Sequence, residues 1–352
     1  MINYIIVGLG LSGLAVAEEL EKRSKSFVVF DDDSQKSSLV AGGIFNPVIL
    51  KRFTPAWKAA EQLDLALEFY RSLEQKLDAE FIHKWNIYRR FHSVEEQNDW
   101  FVALDKPGLQ PFMDPSVQKI SNPSLEAQYG FGMVKYTGNI DTNHLLDRYK
   151  AFLLEKKALV EDRFVYDDLK KSNDLWEYRG HQAKGVIFCE GFGLKRNPYF
   201  NYLPLKGNKG EYIIVKSPGL KLEHAIKASV FIMPMGNDLY KVGATYEHQD
   251  KTPYPTESAK KKLGASLKSI ITCEFEVVDQ VAGIRPAMVD RRPVVGKHPD
   301  QSGLYCCNGF GSRGVLIAPY VAPELLRYIE DGTSLDKEID LSRFTRKHYN
   351  SR

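Results

Sequence analysis

Hydrophobic positions along the chain follow two rhythms, and the changes between them divide it. Residues 4–7 make a short unbroken apolar run, and apolar side chains recur at helical spacing over 14–20. A second apolar run, 26–30, ends in Asp31. The spacing predicts a long amphipathic helix over 55–79, with Leu63, Leu67 and Tyr70 on its apolar side. Short strands and a helix near 95–103 follow, and helical spacing returns over 141–156 after the turn Thr137-Gly138-Asn139. Candidate strands lie near 159–165 and 175–178, and 185–189 reads as a fully buried strand. Residues 211–216, 228–233 and 239–245 read as antiparallel strands joined by turns such as Gly236-Asn237-Asp238. A helix over 256–271, a strand over 274–282, a strand over 304–307, a glycine-rich turn and a last helix ending near 329 complete the pattern.

Parallel-type α/β signals therefore stand at the start, the middle and the end, with antiparallel strands between them. That order predicts a discontinuous nucleotide-binding domain of segments 1–80, 137–205 and 281–352. A mixed, largely antiparallel substrate domain of segments 81–136 and 206–280 interrupts it twice.

The junction between the first strand and helix is Gly8-Leu9-Gly10-Leu11-Ser12-Gly13. In this spacing Gly8 permits a tight turn and Gly10 lets backbone N–H groups approach a pyrophosphate. Gly13 lets helix and strand pack closely, and the helix N-terminus faces the phosphates. Asp31 ends the second strand roughly 20 residues on, where a carboxylate accepts hydrogen bonds from an adenosine ribose. The same carboxylate repels a 2′-phosphate, which argues against NADP and leaves NAD and FAD open.

Composition changes this picture little. The chain is 43% apolar and 26% charged with a formal net charge of +3, too weak by itself to imply nucleic acid. Lys260-Lys261-Lys262 sits in a helical pattern and reads as a solvated face. No run of about 18 apolar residues occurs. The first strand begins almost at Met1, which leaves no room for a signal peptide and predicts a cytoplasmic protein. Cys189, Cys273, Cys306 and Cys307 form no C-x-x-C pair and read as reduced, buried thiols. His248, His298 and Arg291-Arg292 have no metal-ligand or triad spacing.

Further stretches recur in order: Ser37-Ser38 with Gly42-Gly43, Gly138-Asn139-Ile140-Asp141, residues 186–193 and Leu205-Lys206-Gly207. After them come Val242-Gly243-Ala244-Thr245, Gly283-Ile284-Arg285-Pro286 and Asn308-Gly309-Phe310-Gly311-Ser312-Arg313-Gly314. Taken together they resemble the FAD-dependent D-amino-acid oxidase family, which includes glycine oxidase and sarcosine oxidase. The last stretch, and Pro47 after the serine-glycine loop, also resemble the FAD-dependent half of the bifunctional enzyme that modifies wobble uridine in tRNA. The chain carries no counterpart of that enzyme's methyltransferase half.

The resemblance implies FAD, held non-covalently because no cysteine stands just before the Arg285 segment. It implies that Gly8, Gly10 and Gly13 face the pyrophosphate, that Asp31 faces the ribose and that Val165 meets the adenine through its backbone. Ser38, Gly42 and Gly43 would pass close to the isoalloxazine, and Gly309, Gly311, Ser312, Arg313 and Gly314 would set a helix N-terminus near its pyrimidine end. Arg285 matches the family's carboxylate-binding arginine, for which a planar guanidinium suits two carboxylate oxygens. A salt bridge or a carbonyl tether at a strand end is its structural alternative. Lys241 matches the lysine that activates oxygen over the flavin in sarcosine-oxidase-like members; an ordinary exposed strand lysine is the alternative there.

Met233-Pro234-Met235 departs from the family's proline-arginine, and Phe231 and Tyr246 serve equally as pocket or core aromatics. The expected function is oxidation of the C–N bond of a small amino acid or secondary amine. Hydride would pass to flavin N5, the imine would hydrolyse and dioxygen would be reduced to hydrogen peroxide. The alternatives are a tRNA-modifying oxidoreductase acting on a carboxymethylaminomethyl group, a dehydrogenase serving a quinone or carrier protein, and a flavin-binding module without catalysis.

Overall fold

The computed structural model describes residues 1–349. Two large sheets dominate it. In the first, Leu159–Val160, Phe27–Phe30, Ile2–Val7 and His181–Phe188 lie side by side, all parallel. Leu304–Asn308 continues the parallel array beyond the end of His181–Phe188, and Leu175–Tyr178 pairs antiparallel with its start. Strands buried on both faces explain the unbroken apolar runs IIV and VVF. Helix Leu11–Lys22 covers one face and packs against helix Gly314–Asp331, which also meets Ala59–Leu77. Ala59–Leu77 is shorter than predicted because Lys58 takes a left-handed conformation at its start. Its buried Ala59, Leu63, Ala66, Tyr70, Leu73 and Leu77 recur every three or four residues, as an amphipathic helix requires.

The second sheet runs Glu276–Met288, Leu205–Lys216, Leu239–Gly243, Phe231–Gly236, Ala225–Lys227, Ile87–Arg90, Phe131–Val134 and Met113–Gln118. Every neighbouring pair is antiparallel except Ala225–Lys227 with Ile87–Arg90. Helix Glu257–Lys268 covers one face, with Leu263 and Leu267 packed among Ile213, Val215, Ile232 and Val242. The opposite face packs against the segment around Ser37–Val40.

Several elements differ from the sequence pattern. The strand expected to end at 282 continues to Met288, paired with Leu205–Lys216 throughout, so the boundary expected at 280/281 falls inside it. Gly283 and Pro286 look like breakers, but the strand lies at the sheet edge, where a missing N–H is tolerated. The strand expected over 159–165 stops at Val160, and a 3-10 turn, Tyr166–Asp168, follows. The serine-glycine loop before Pro47 opens with a one-turn helix, Ser37–Val40.

Candidate active site

Strand Ile2–Val7 ends at Gly8, which has a φ of +98°, and a Cβ there would lie 2.7 Å from the Cys189 carbonyl oxygen. Gly13 is tighter still, since its Cβ would lie 1.9 Å from the Gly8 oxygen. Only glycine lets the helix start this close to the strand. Gly10 is the helix N-cap; no side chain caps this end, and no acidic residue occupies the first turn. Ser38 stands beside it, with Oγ accepting the Leu11 N–H at 3.2 Å.

The turn through Gly309 (φ +85°) and Gly311 (φ +58°) delivers a second uncapped helix start. A Cβ on Gly314 would lie 3.2 Å from Leu11 Cδ1, so the two helix starts are neighbours. Ser312 is exposed in that turn. Arg313 Nη1 donates to the Asn46 carbonyl oxygen at 2.7 Å, and burial pushes its guanidinium down to about 10. No carboxylate among the described residues pairs with it. Two helix N-termini without an N-cap side chain or an acidic first turn, a glycine cradle that one methyl group would fill and a half-buried arginine with no acidic partner among the described residues fit a flavin dinucleotide.

Beside Gly8 a cleft opens between Asp31, Phe164, Tyr166 and Glu190. Asp31 accepts N–H groups from Leu9 at 2.9 Å and from Asp33 at 3.3 Å; burial nevertheless raises its carboxyl above the usual range. Val165 stands beside this cleft but is not among the residues that line it. Its N–H donates to Tyr178 Oη at 2.9 Å and its carbonyl accepts the Asp168 N–H at 3.1 Å, so both groups are engaged locally. Its neighbour Phe164 lines the cleft instead.

Segment 37–43 crosses the inner face of the antiparallel sheet. A Cβ on Gly283 would lie 3.3 Å from Ser37 Cα, and one on Gly42 would lie 3.0 Å from Met233 Sδ. Gly43 (φ +62°) is pressed against strand Gly138–Ile140, where a Cβ would lie 1.9 Å from the Ile140 oxygen. Lys241, directly opposite Met233, donates from Nζ to the Ala41 carbonyl at 2.9 Å and lies 5.1 Å from the Tyr212 ring. Burial pushes its ammonium down to about 8.

Arg285 occupies the same face near the second helix start, where the Gly311 N–H donates to the Pro286 oxygen at 2.8 Å. Its Nη1 donates to Asn208 Oδ1 at 3.0 Å and to the Thr245 carbonyl at 3.2 Å. The guanidinium lies 4.8 Å from the Tyr246 ring. Among the described residues it has no acidic partner, and its hydrogen bonds to Asn208 and Thr245 both use Nη1. Arg285 and Lys241 are not neighbours. They pair with Asn208 and Ile214 on the strand between them, about 20 Å apart along it.

Two residues escape sequence reasoning. Glu190 follows a buried parallel strand as Asp31 does, a positional signal that was readable. Burial pushes its carboxyl up to about 7, and it bonds Asn197 Nδ2 at 2.7 Å and the Tyr166 hydroxyl. Asn208 reaches Arg285 only through sheet register, which leaves no local mark in sequence.

A parallel sheet ending in a glycine turn and a separate antiparallel sheet are the architecture of a two-sheet dinucleotide-dependent oxidoreductase. The chain belongs to the FAD dependent oxidoreductase family, whose model matches residues 3–327. It is 24% identical over 342 residues to a glycine oxidase of Pseudomonas aeruginosa, covering 90% of this chain and 92% of that protein. It is also 24% identical over 392 residues to the tRNA 5-methylaminomethyl-2-thiouridine biosynthesis bifunctional protein MnmC of Legionella pneumophila. That match covers 97% of this chain but only 57% of the longer protein. The solved glycine oxidase of Geobacillus kaustophilus shares the fold with a TM-score of 0.76 at 20% identity, covering 97% of both chains. The cofactor is FAD, and the protein is an oxidoreductase. No helix among the described residues is long and apolar enough to cross a membrane.

Proposed function

We propose that this enzyme works in the cytoplasm and oxidises the C–N bond of a small amine bearing an α-carboxylate, either an amino acid or an N-carboxymethyl amine. The observation that carries the reading is Arg285: a guanidinium on the inner sheet face, with no acidic partner among the described residues, beside an uncapped helix start. FAD, when bound, would supply the hydride acceptor, with dioxygen as the terminal electron acceptor. Arg285 holds the carboxylate through its open edge, which orients the adjacent C–H toward the cofactor. Arg313 and the start of Gly314–Asp331 would offer positive charge and unpaired N–H groups to an anionic part of the cofactor. Lys241, charged below about pH 8, stabilises the anion that forms on reducing oxygen. The oxidised substrate is an imine, which water hydrolyses to a carbonyl compound and a free amine.

A second reading has one specific observation behind it. Tyr246, beside Arg285, is 68% exposed, so the carboxylate end of the site lies near solvent and admits an N-carboxymethyl group carried on a larger molecule such as tRNA. Anaerobic mixing of the holoenzyme with glycine, sarcosine, D-amino acids and carboxymethylaminomethyl-modified tRNA tests both. The reading requires that at least one bleaches the flavin and that readmitted oxygen yields peroxide. No bleaching by any of them overturns the carboxylate-amine reading, and colour restored without peroxide overturns the oxidase part.

A further inference from the structure

Arg285 can hold a carboxylate well only if its own guanidinium is held, and the groups that hold it are unusual. A Cβ on Gly210 would lie 2.0 Å from Arg285 Nη2, so the side chain lies flat across the neighbouring strand where only glycine leaves room. Asn208, directly opposite Arg285 in the register, accepts from Nη1 at 3.0 Å. Asn208 is itself buried, and its Nδ2 lies 3.0 Å from His248 Nδ1. An amide can turn either end toward a neighbour, and only the oxygen suits a guanidinium. The amide nitrogen lies 3.0 Å from Nδ1 and 3.3 Å from Nε2 of the His248 ring, and a ring nitrogen that accepts from it would keep the oxygen toward Arg285.

We infer that Asn208 is a positioning residue for carboxylate recognition. It occupies one arm of the Arg285 guanidinium and leaves the other edge facing the substrate, while His248 sets the orientation of the amide. This rests on the carboxylate role proposed for Arg285. The chemistry also explains why a neutral amide stands here: a carboxylate at 208 would pair with Arg285 and compete with the substrate. An apolar residue would leave the guanidinium free to swing toward the Thr245 carbonyl alone.

The test is titration of acetate into the FAD holoenzyme, followed by the change in the flavin absorption spectrum. Wild type binds acetate, and Arg285→Ala loses it. Asn208→Ala raises the acetate dissociation constant about tenfold. Asn208→Asp weakens acetate at least as much as Arg285→Ala does. Asn208→Ser, which keeps an acceptor, recovers part of the affinity, and His248→Leu gives a smaller loss than Asn208→Ala. All keep the flavin spectrum of wild type in the absence of acetate. With a turning-over substrate, Asn208→Ala raises KM and leaves kcat nearly unchanged.

An unchanged acetate affinity in Asn208→Ala, with Arg285→Ala defective, overturns the role of Asn208 alone. Loss of flavin in step with loss of acetate assigns Asn208 a merely structural part and also overturns it. Failure of wild type to bind acetate removes the carboxylate reading of Arg285, and this inference falls with it.

Discussion

Adding one methyl group at two glycines, each inside a helix, should have opposite consequences. In helix Glu257–Lys268, a Cβ on Gly264 meets nothing within 4 Å, so Gly264→Ala restricts the unfolded chain without a clash. It should stabilise the protein by about 0.5–1 kcal/mol. In helix Leu11–Lys22, the same change at Gly13 puts a Cβ 1.9 Å from the Gly8 oxygen. Ordinary contact begins near 3.4 Å, so helix and strand must part by roughly 1.5 Å. Overpacking of this kind costs about 1–3 kcal/mol. The displaced helix start also gives up the attraction of its N–H groups for the pyrophosphate, which at up to about 2 kcal/mol corresponds to roughly 10–30-fold in FAD affinity. Denaturant melts and FAD titration of the two variants read both effects. Gly13→Ala that binds FAD like wild type, or Gly264→Ala that destabilises as much as Gly13→Ala, refutes the close-packing argument.

Lys241 supplies a pH signature. Burial holds its ammonium near 8 against 10.5 in the unfolded chain, so the cost is fully present below pH 8. Between those values only the unfolded state keeps the proton, and stability relative to Lys241→Met should rise with pH by up to about 3 kcal/mol. Urea melts at pH 7 and pH 10.5 measure the difference; a gap that does not change with pH contradicts the buried placement. Lys209, with no exposed side-chain surface, bonds Asp250 Oδ2 at 2.5 Å and lies 3.7 Å from the buried Glu211 carboxylate. Lys209→Met leaves Glu211 without a buried cation and should cost about 3 kcal/mol in the same melts, and a stability equal to wild type would rule that out.

What the sequence made legible was chemistry that acts locally. A turn that must bring N–H groups to a phosphate needs glycines at fixed spacing, so Gly8, Gly10 and Gly13 announce themselves, as does Asp31 at the end of an apolar run. Gly309 and Gly311 are legible for the same reason, since both take positive φ. The lining of the cleft beside Asp31 was less legible: whether Val165 or Phe164 faces it depends on where a strand stops, and the strand stops at Val160, where only two residues find partners. The Arg285 environment was not legible. Asn208, Gly210 and Thr245 reach it through cross-strand register, and the proline and glycine around Arg285 disguise a continuous strand as a break. The burial of Glu190 and Lys241 likewise depends on sheets far apart in sequence.

The most direct test of the account compares anaerobic flavin bleaching by an N-carboxymethyl amine and by its methyl ester, in wild type and in Arg285→Ala. The two compounds share the oxidisable C–N bond and differ in the carboxylate. The account predicts that wild type bleaches far faster with the acid, and that Arg285→Ala loses this preference while still binding FAD. Equal rates with acid and ester in wild type, or a preference that survives in Arg285→Ala, would contradict it.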